Sequence, residues 1–221
     1  MKGLKMRPDE YTVIDIETYP NEDMIDRLPE PKIDSRLKDP VKIEAAKIEA
    51  KDKQIQEMAL SPLYGKIACV GYEKGKGNVD VAIDEDETRI IKHFFEHIIP
   101  LGQTGSPKIV TWNGMNFDVP FLYKRAMILG IKPTVNMSYF MKRYQVETHC
   151  DLMQVWCGWY GYEKLDNVSQ AVLGYGKVEF DVTTIKDLMK TPEGREKISV
   201  YCKGDIKATS ELFNLMANVL F

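Results

Sequence analysis

Apolar and other residues alternate along Tyr11-Thr-Val-Ile-Asp-Ile-Glu-Thr18, a β-branched run whose period of two predicts a strand. Val13, Asp15 and Glu17 fall on one face, and Ile14 and Ile16 on the other. The run is apolar apart from its acids, so it predicts a central strand covered on both sides. Farther on, Lys66 to Tyr72 and Asn78 to Ile83 predict a hairpin around residues 73–77. A helix from about Asp86 to Ile99 and a strand from Lys108 to Trp112 come next. Asn113-Gly114 then reads as a turn, and Val119 to Leu129 as a helix closed by Gly130. The remaining pattern is helical: Asp151 to Tyr160, Lys164 to Leu173, Thr184 to Met189 and Pro192 to Leu220, joined at Gly158, Gly161 and Gly174-Tyr-Gly176. Thr191-Pro-Glu opens the last helix as N-cap, first-turn proline and first-turn acid. Its apolar stripe runs Ile198, Tyr201, Ala208, Leu212, Leu215 and Val219.

One segment breaks this α/β order. Asn21 to Pro40 is rich in proline and charge, and Val41 to Met58 predicts a helix with four lysines, three glutamates and one aspartate. Val41, Ile48 and Ile55 form a thin heptad row whose companion positions, Glu44 and Lys51, are charged, so an exposed helix is expected rather than a coiled coil. Residues 21–59 therefore form a charged helical insertion within a single domain, 1–221, suited to a flap or a substrate or partner contact. Gly75-Lys-Gly77 lies between strands, and Gly102-Gln-Thr-Gly-Ser-Pro-Lys108 leads from a helix into a strand. Both orders suit plain turns, not phosphate cradles.

Composition narrows the class. The chain has 221 residues, 44% hydrophobic and 29% charged, enough for one core in a globular domain. Its formal net charge of −3 argues against a protein that coats nucleic acid through bulk electrostatics. Cys69, Cys150, Cys157 and Cys202 lack Cys-x-x-Cys spacing and are expected as reduced thiols. With no membrane-spanning run and no signal-peptide pattern at Met1 to Pro8, the expected location is cytoplasmic.

The acids carry the chemistry. Asp15 and Glu17 project side by side, about 6.5–7 Å apart along the strand, where burial without a partner would be costly. A bound cation is the economical remedy. Asp205 interrupts the stripe of the last helix four residues after Tyr201, so phenol and carboxylate share one face. Asp118 stands at a helix start before Pro120, a setting that suits either an N-cap or a ligand presented above a sheet.

Asp15-Ile-Glu17, Asn113-Gly-Met-Asn-Phe-Asp118 and Tyr201-Cys-Lys-Gly-Asp205 resemble the three motifs of the DEDD 3′–5′ exonucleases, in order. The Tyr-x-x-x-Asp form of the third is similar to the tyrosine branch, which includes the proofreading domains of family B DNA polymerases. Ser61 to Gly71, Cys150-Asp-Leu-Met153 and Leu173-Gly-Tyr-Gly-Lys177 extend the similarity to stand-alone predicted exonucleases, often phage-encoded. The resemblance and the element order together imply an RNase H-like mixed sheet flanked by helices. They also imply an enzyme that hydrolyses terminal phosphodiester bonds to release nucleoside 5′-monophosphates.

An all-carboxylate site suits two Mg²⁺ or Mn²⁺ ions about 3.5–4 Å apart. By the resemblance, Asp15 would bridge both, Glu17 and Asp205 complete the first, and Asp118 hold the second through water. A phenol ordinarily titrates near pH 10, so Tyr201 is expected to orient the attacking water, not to deprotonate it. Ile16, Thr18, Asn113 and Phe117 are placed to hold the terminal nucleotide, Phe117 by stacking. The implied substrate is nucleic acid with a single-stranded 3′ end, DNA ahead of RNA. A polymerase or other replication protein acting in trans is the candidate partner in replication or repair. The intact acids and tyrosine argue against a form that binds without cleaving.

A rival motif, His93-Phe-Phe-Glu-His97, has the His-x-x-Glu-His form of inverted zinc proteases. The apolar residues Ile90, Ile91, Phe94, Phe95, Ile98 and Ile99 define the core face and turn both imidazoles toward solvent. Surface histidines are therefore expected.

Overall fold

The computed structural model describes residues 6–100, 106–176 and 178–220. The expected glycine turn at residues 102–105 and Lys177, the end of one stretch of family similarity, lie outside them. The chain begins with strand β1 (Thr12–Pro20), crosses a 3₁₀ turn at Glu22–Arg27 and enters helix α1 (Pro40–Glu57). Strands β2 (Gly65–Lys74) and β3 (Val79–Ile83) follow as a hairpin, with Gly75 at φ +60° in its turn. Next come α2 (Glu87–His93), β4 (Ile109–Thr111), α3 (Asp118–Ile128), α4 (Met137–Phe140) and β5 (His149–Asp151). The rest is helical: α5 (Leu152–Cys157), α6 (Leu165–Leu173), α7 (Ile185–Leu188) and α8 (Pro192–Val219).

The five strands lie in the order β3-β2-β1-β4-β5, which puts β1 at the centre. It pairs antiparallel with β2 and parallel with β4, and β4 pairs parallel with β5. The alternation in β1 sorts its residues as expected. Ile14 and Ile16 enter a core with Ile90, Phe94 and Phe121 on one face. Val13 joins Val110, Leu212 and Phe213 on the other. Burying each aliphatic side chain contributes about 1.5–3 kcal/mol, so a one-residue slip would expose both sets. The first face is also clamped by a buried ion pair. Arg125 of α3 donates to both oxygens of Glu87 at the start of α2, at 2.9 and 2.6 Å, and Glu87 accepts the Ile67 N–H of β2 at 2.8 Å.

Several expectations need correction. The helix predicted from Asp86 to Ile99 is α2 followed by a π-turn at Phe94–Ile98. The segment from Asp151 is not helical from its first residue, because Asp151 ends a short strand before α5. The Thr184–Met189 helix is a single turn after a 3₁₀ turn at Val182–Thr184. Helix α8 keeps its Thr191 cap, which accepts the Gly194 N–H at 3.0 Å. Its stripe, however, rotates off the sheet: Leu215 and Val219 are exposed, while Phe213 and Met216 are buried. Helix α1 buries no residue, as its charge pattern predicts. Among the described residues no helix is long and apolar enough to cross a membrane.

Candidate active site

Asp15 and Glu17 lie on the β1 face that α8 covers. Asp15 is paired with Gly71 of β2 and Glu17 with Cys69, before a β-bulge at Glu17/Thr18. Gly71 explains how the helix comes so close. A Cβ there would stand 2.5 Å from Cys202 Sγ and 2.9 Å from Ile206 Cγ1, so only glycine admits α8 at this depth. Cys202, between Tyr201 and Asp205 on α8, brings its Sγ within 4.8 Å of carboxylate oxygens of both Asp15 and Glu17. Among the described residues, this is the one set of three His, Cys or acidic groups gathered closely enough to hold a metal. Tyr201 and Asp205 flank Cys202 on the same turns of α8, and Asp205 is only 3% exposed. Tyr201 is buried too, its ring stacked on Phe180 with centroids 4.4 Å apart and planes 14° from parallel.

Asp118 reaches the same place from the other side. Strand β4 ends at Thr111, so the β1 edge beyond it has no ladder partner among the strands there. Asp118 Oδ1 takes the Ile16 N–H at 3.1 Å, setting this carboxylate beside the backbone between Asp15 and Glu17. The N-cap alternative fails. Phe117 occupies the cap position of α3 without a side-chain cap bond, and Asp118 is the first helical residue, 3% exposed.

The loop that carries Asp118 is fixed by Asp151, which the sequence places at the start of a helix. Asp151 does cap α5 through Met153 N, but it also accepts Asn113 N–H and Met115 N–H, both at 2.9 Å. Burial pushes its carboxyl above the usual range, against the pull of these backbone donors. Asn113 has φ +67°, a left-handed turn that asparagine tolerates. Its Oδ1 accepts from Asn116 Nδ2 at 3.0 Å.

A groove of about 470 Å³ opens beside Glu17. Ile16, Thr18 and Phe117 line it together with Ile25, Ile55 and Leu60 from the segment between β1 and β2. Thr18 Oγ1 donates to Ala59 O at 2.7 Å, joining strand and insertion. Three of the four nucleotide-holding residues expected from sequence therefore share this groove, and Asn113 stands off it in the loop that ends at Phe117 and Asp118. Sequence reasoning missed Gly71, Phe180 and the insertion's apolar wall, each defined by partners far along the chain.

The donor set is hard in character. Cys202 is a free thiol raised well above its ordinary range by its hydrogen bond with Cys69, by complete burial and by the charges of Asp15 and Glu17. Those influences favour the neutral thiol, and the carboxylate oxygens beside it are hard donors of the kind that fits Mg²⁺ or Mn²⁺. Among the described residues, His93 and His97 gather no carboxylate or cysteine in this way. His97 is exposed, and His93 packs between it and Tyr72, as a surface pair would.

Residues 66–219 match the model of a family described as predicted 3′–5′ exonucleases related to the exonuclease domain of PolB. The chain belongs to this family. Asp118, Tyr201 and Asp205 fall within the matched residues, and Asp15 and Glu17 precede them. This exonuclease-family chain is 28% identical over 176 residues to a DNA polymerase of Thermococcus litoralis, covering 64% of itself and 10% of that protein. It is 31% identical over 150 residues to the catalytic polypeptide of DNA polymerase epsilon from Candida glabrata, covering 62% of itself and 6% of that protein. The chain thus spans about a tenth or less of these curated relatives. The family B DNA polymerase of the hyperthermophilic archaeon Pyrobaculum calidifontis superposes with a TM-score of 0.60 at 18% identity, over 93% of this chain and 24% of that one. That likeness shows the fold, the RNase H-like α/β class expected from sequence.

Proposed function

We propose that this chain shortens DNA from its 3′ end by metal-dependent hydrolysis, as a member of the tyrosine branch. The observation that carries the reading is the hydrogen bond from Ile16 N–H to Asp118, which draws an acid 102 positions away to the backbone between Asp15 and Glu17. In this reading Asp15, Glu17, Asp118 and Asp205 would together hold two divalent ions, Mg²⁺ or Mn²⁺. Bound there, the ions supply Lewis-acid stabilisation for the attacking and leaving oxygens of an in-line displacement. Tyr201 orients the attacking water, its ring held by the stack on Phe180. Thr18 and Ile16 hold the terminal sugar and base, Phe117 stacks on the base, and Asn113 shapes the loop behind them. The insertion closes the groove as its outer wall, so a single strand fits where a paired end is blocked. The products are nucleoside 5′-monophosphates, and the setting is replication or repair in the cytoplasm, with any polymerase partner acting in trans.

The test is Mn²⁺-dependent digestion of matched 5′-labelled single-stranded, paired and mismatched-end DNA and RNA. Asp15→Ala and Asp205→Ala should each slow shortening by about 10³-fold, as expected for loss of ion-mediated charge stabilisation. Tyr201→Phe should cost less, about 10–100-fold, because it removes a positioning contact and leaves the carboxylates. Absence of metal-dependent shortening on every substrate, or shortening that survives both acid substitutions, would sink the assignment.

A further inference from the structure

Next to the Asn113–Phe117 loop lies an aromatic surface that the core does not use. Tyr144 and Trp159 come from segments fifteen residues apart and meet edge to face, with centroids 4.6 Å apart and planes at 63°. Tyr144 takes φ +62°, where a bulky residue is uncommon, and is 70% exposed. Tyr160 beside it is 95% exposed. Two clefts of about 160 and 210 Å³ open against these rings. Met115 lines both of them, and Asn116 and Arg143 line the first. Lys142 and Arg143 are exposed, and among the described residues no carboxylate forms an ion pair with either.

Three features point this surface at the substrate. The exposed rings of Tyr144 and Tyr160 and the half-buried ring of Trp159, beside cations without an ion pair, supply base stacking and phosphate attraction together, the combination that holds a single strand without reading its sequence. Strands β1, β4 and β5 run parallel, and the loops at the C-terminal ends of β4 and β5 meet at Asp151, on the side of an α/β sheet where ligands bind. Asn116 borders the aromatic cleft and Phe117, the next residue, borders the groove beside Glu17. Adjacent Cα atoms are about 3.8 Å apart, so the two depressions share one loop as a border.

We propose that Tyr144, Trp159 and Tyr160, with Arg143, form a stacking platform for single-stranded DNA upstream of the 3′-terminal nucleotide. This rests on the reading of the groove as the exonuclease site. The terminal nucleotide occupies the groove, the strand crosses the loop at Asn116, and the following bases lie on the platform.

The experiment measures two quantities: binding of 5′-fluorescein oligo(dT) to the Asp15→Ala protein by anisotropy, and KM and kcat on oligo(dT) of increasing length with active protein. Tyr144→Ala combined with Trp159→Ala should weaken binding of long oligo(dT) by about tenfold or more. It should raise KM while holding kcat, with a defect that grows with strand length from little on a thymidine dinucleotide. Trp159→Phe, which keeps a ring, should retain most of the affinity. Arg143→Gln should reduce the salt dependence of binding by about 0.7 in log–log slope, one phosphate contact on a single strand. Unchanged affinity for long oligo(dT) in the double variant, or an equal defect at every length, overturns the platform. Failure of the exonuclease reading would look different: no metal-dependent shortening by the wild type, whatever the anisotropy reports.

Discussion

His149 shows how much chemistry a single buried side chain can fix. Its Nδ1 lies 3.3 Å from Phe140 O, which only accepts, so Nδ1 carries the proton and Nε2 is free to accept the Thr111 hydroxyl at 2.8 Å. Thr111 Oγ1 in turn accepts Gly114 N–H at 3.0 Å in the loop leading to Asp118. Burial lowers the imidazole pKa to about 4. The unfolded chain therefore takes up a proton near pH 6.5, and the folded chain only near pH 4, so folding loses stability as the pH falls through that window. The full effect is about 3 kcal/mol, from about 1.4 kcal/mol per pH unit. Asp151 opposes it: its raised carboxyl pKa favours the folded state on the acid side and is a cost once ionised. Urea unfolding of wild type and His149→Gln between pH 4 and 7 separates the two. The variant should start less stable at pH 7 and lack the histidine's slope, so the difference should shrink toward pH 4; parallel curves would count against this account.

Elements explain what could be seen in the sequence and what could not. β1 was legible because a period of two, set against acids at every second place, has no good alternative register. Asp205 was legible from a polar break in a helical stripe, although the last turns of that stripe face solvent. Asp118 was ambiguous by nature: cap and ligand share one sequence pattern, and the partner that brings it to β1, Ile16 N–H, comes from another element. Gly71 looked like an ordinary strand glycine, since nothing local tells that α8 will lie on it. Gly71→Ala tests this contact. A methyl 2.5 Å from Cys202 Sγ and 2.9 Å from Ile206 must push α8 away from β1. The expected cost is about 1–3 kcal/mol from overpacking. Moving Tyr201 and Asp205 by even about 1 Å should lower activity by about 10²-fold. In a double-mutant cycle with Cys202→Ala, the pair should be less destabilised than the sum of the single variants, because removing Sγ relieves the nearer clash. Strict additivity in urea unfolding would place the strain elsewhere.

At the scale of the molecule, the insertion is attached to the domain but adds little to its core. Helix α1 buries no residue, while its exit is secured by buried Met58 and by the Thr18–Ala59 hydrogen bond. Its sequence revealed an exposed charged helix, yet not the apolar wall that Ile25, Ile55 and Leu60 give the groove, because that wall exists only together with Ile16 and Phe117. Stability and substrate choice should therefore separate. Replacing residues 29–57 with a short Gly/Ser linker, keeping Met58 to Leu60, removes Ile55 from the wall and spares the core. The expected loss of about 1 kcal/mol corresponds to about 2–4 °C in Tm for a domain of this size. On single-stranded DNA the variant should show KM raised about tenfold, the scale of one lost apolar contact to a base, with kcat little changed. With the groove open to solvent, paired 3′ ends should gain relative to single strands. Calorimetry and the ratio of kcat/KM on the two substrates check both halves. A large fall in Tm would make the insertion part of the core, and an unchanged ratio would remove it from substrate selection.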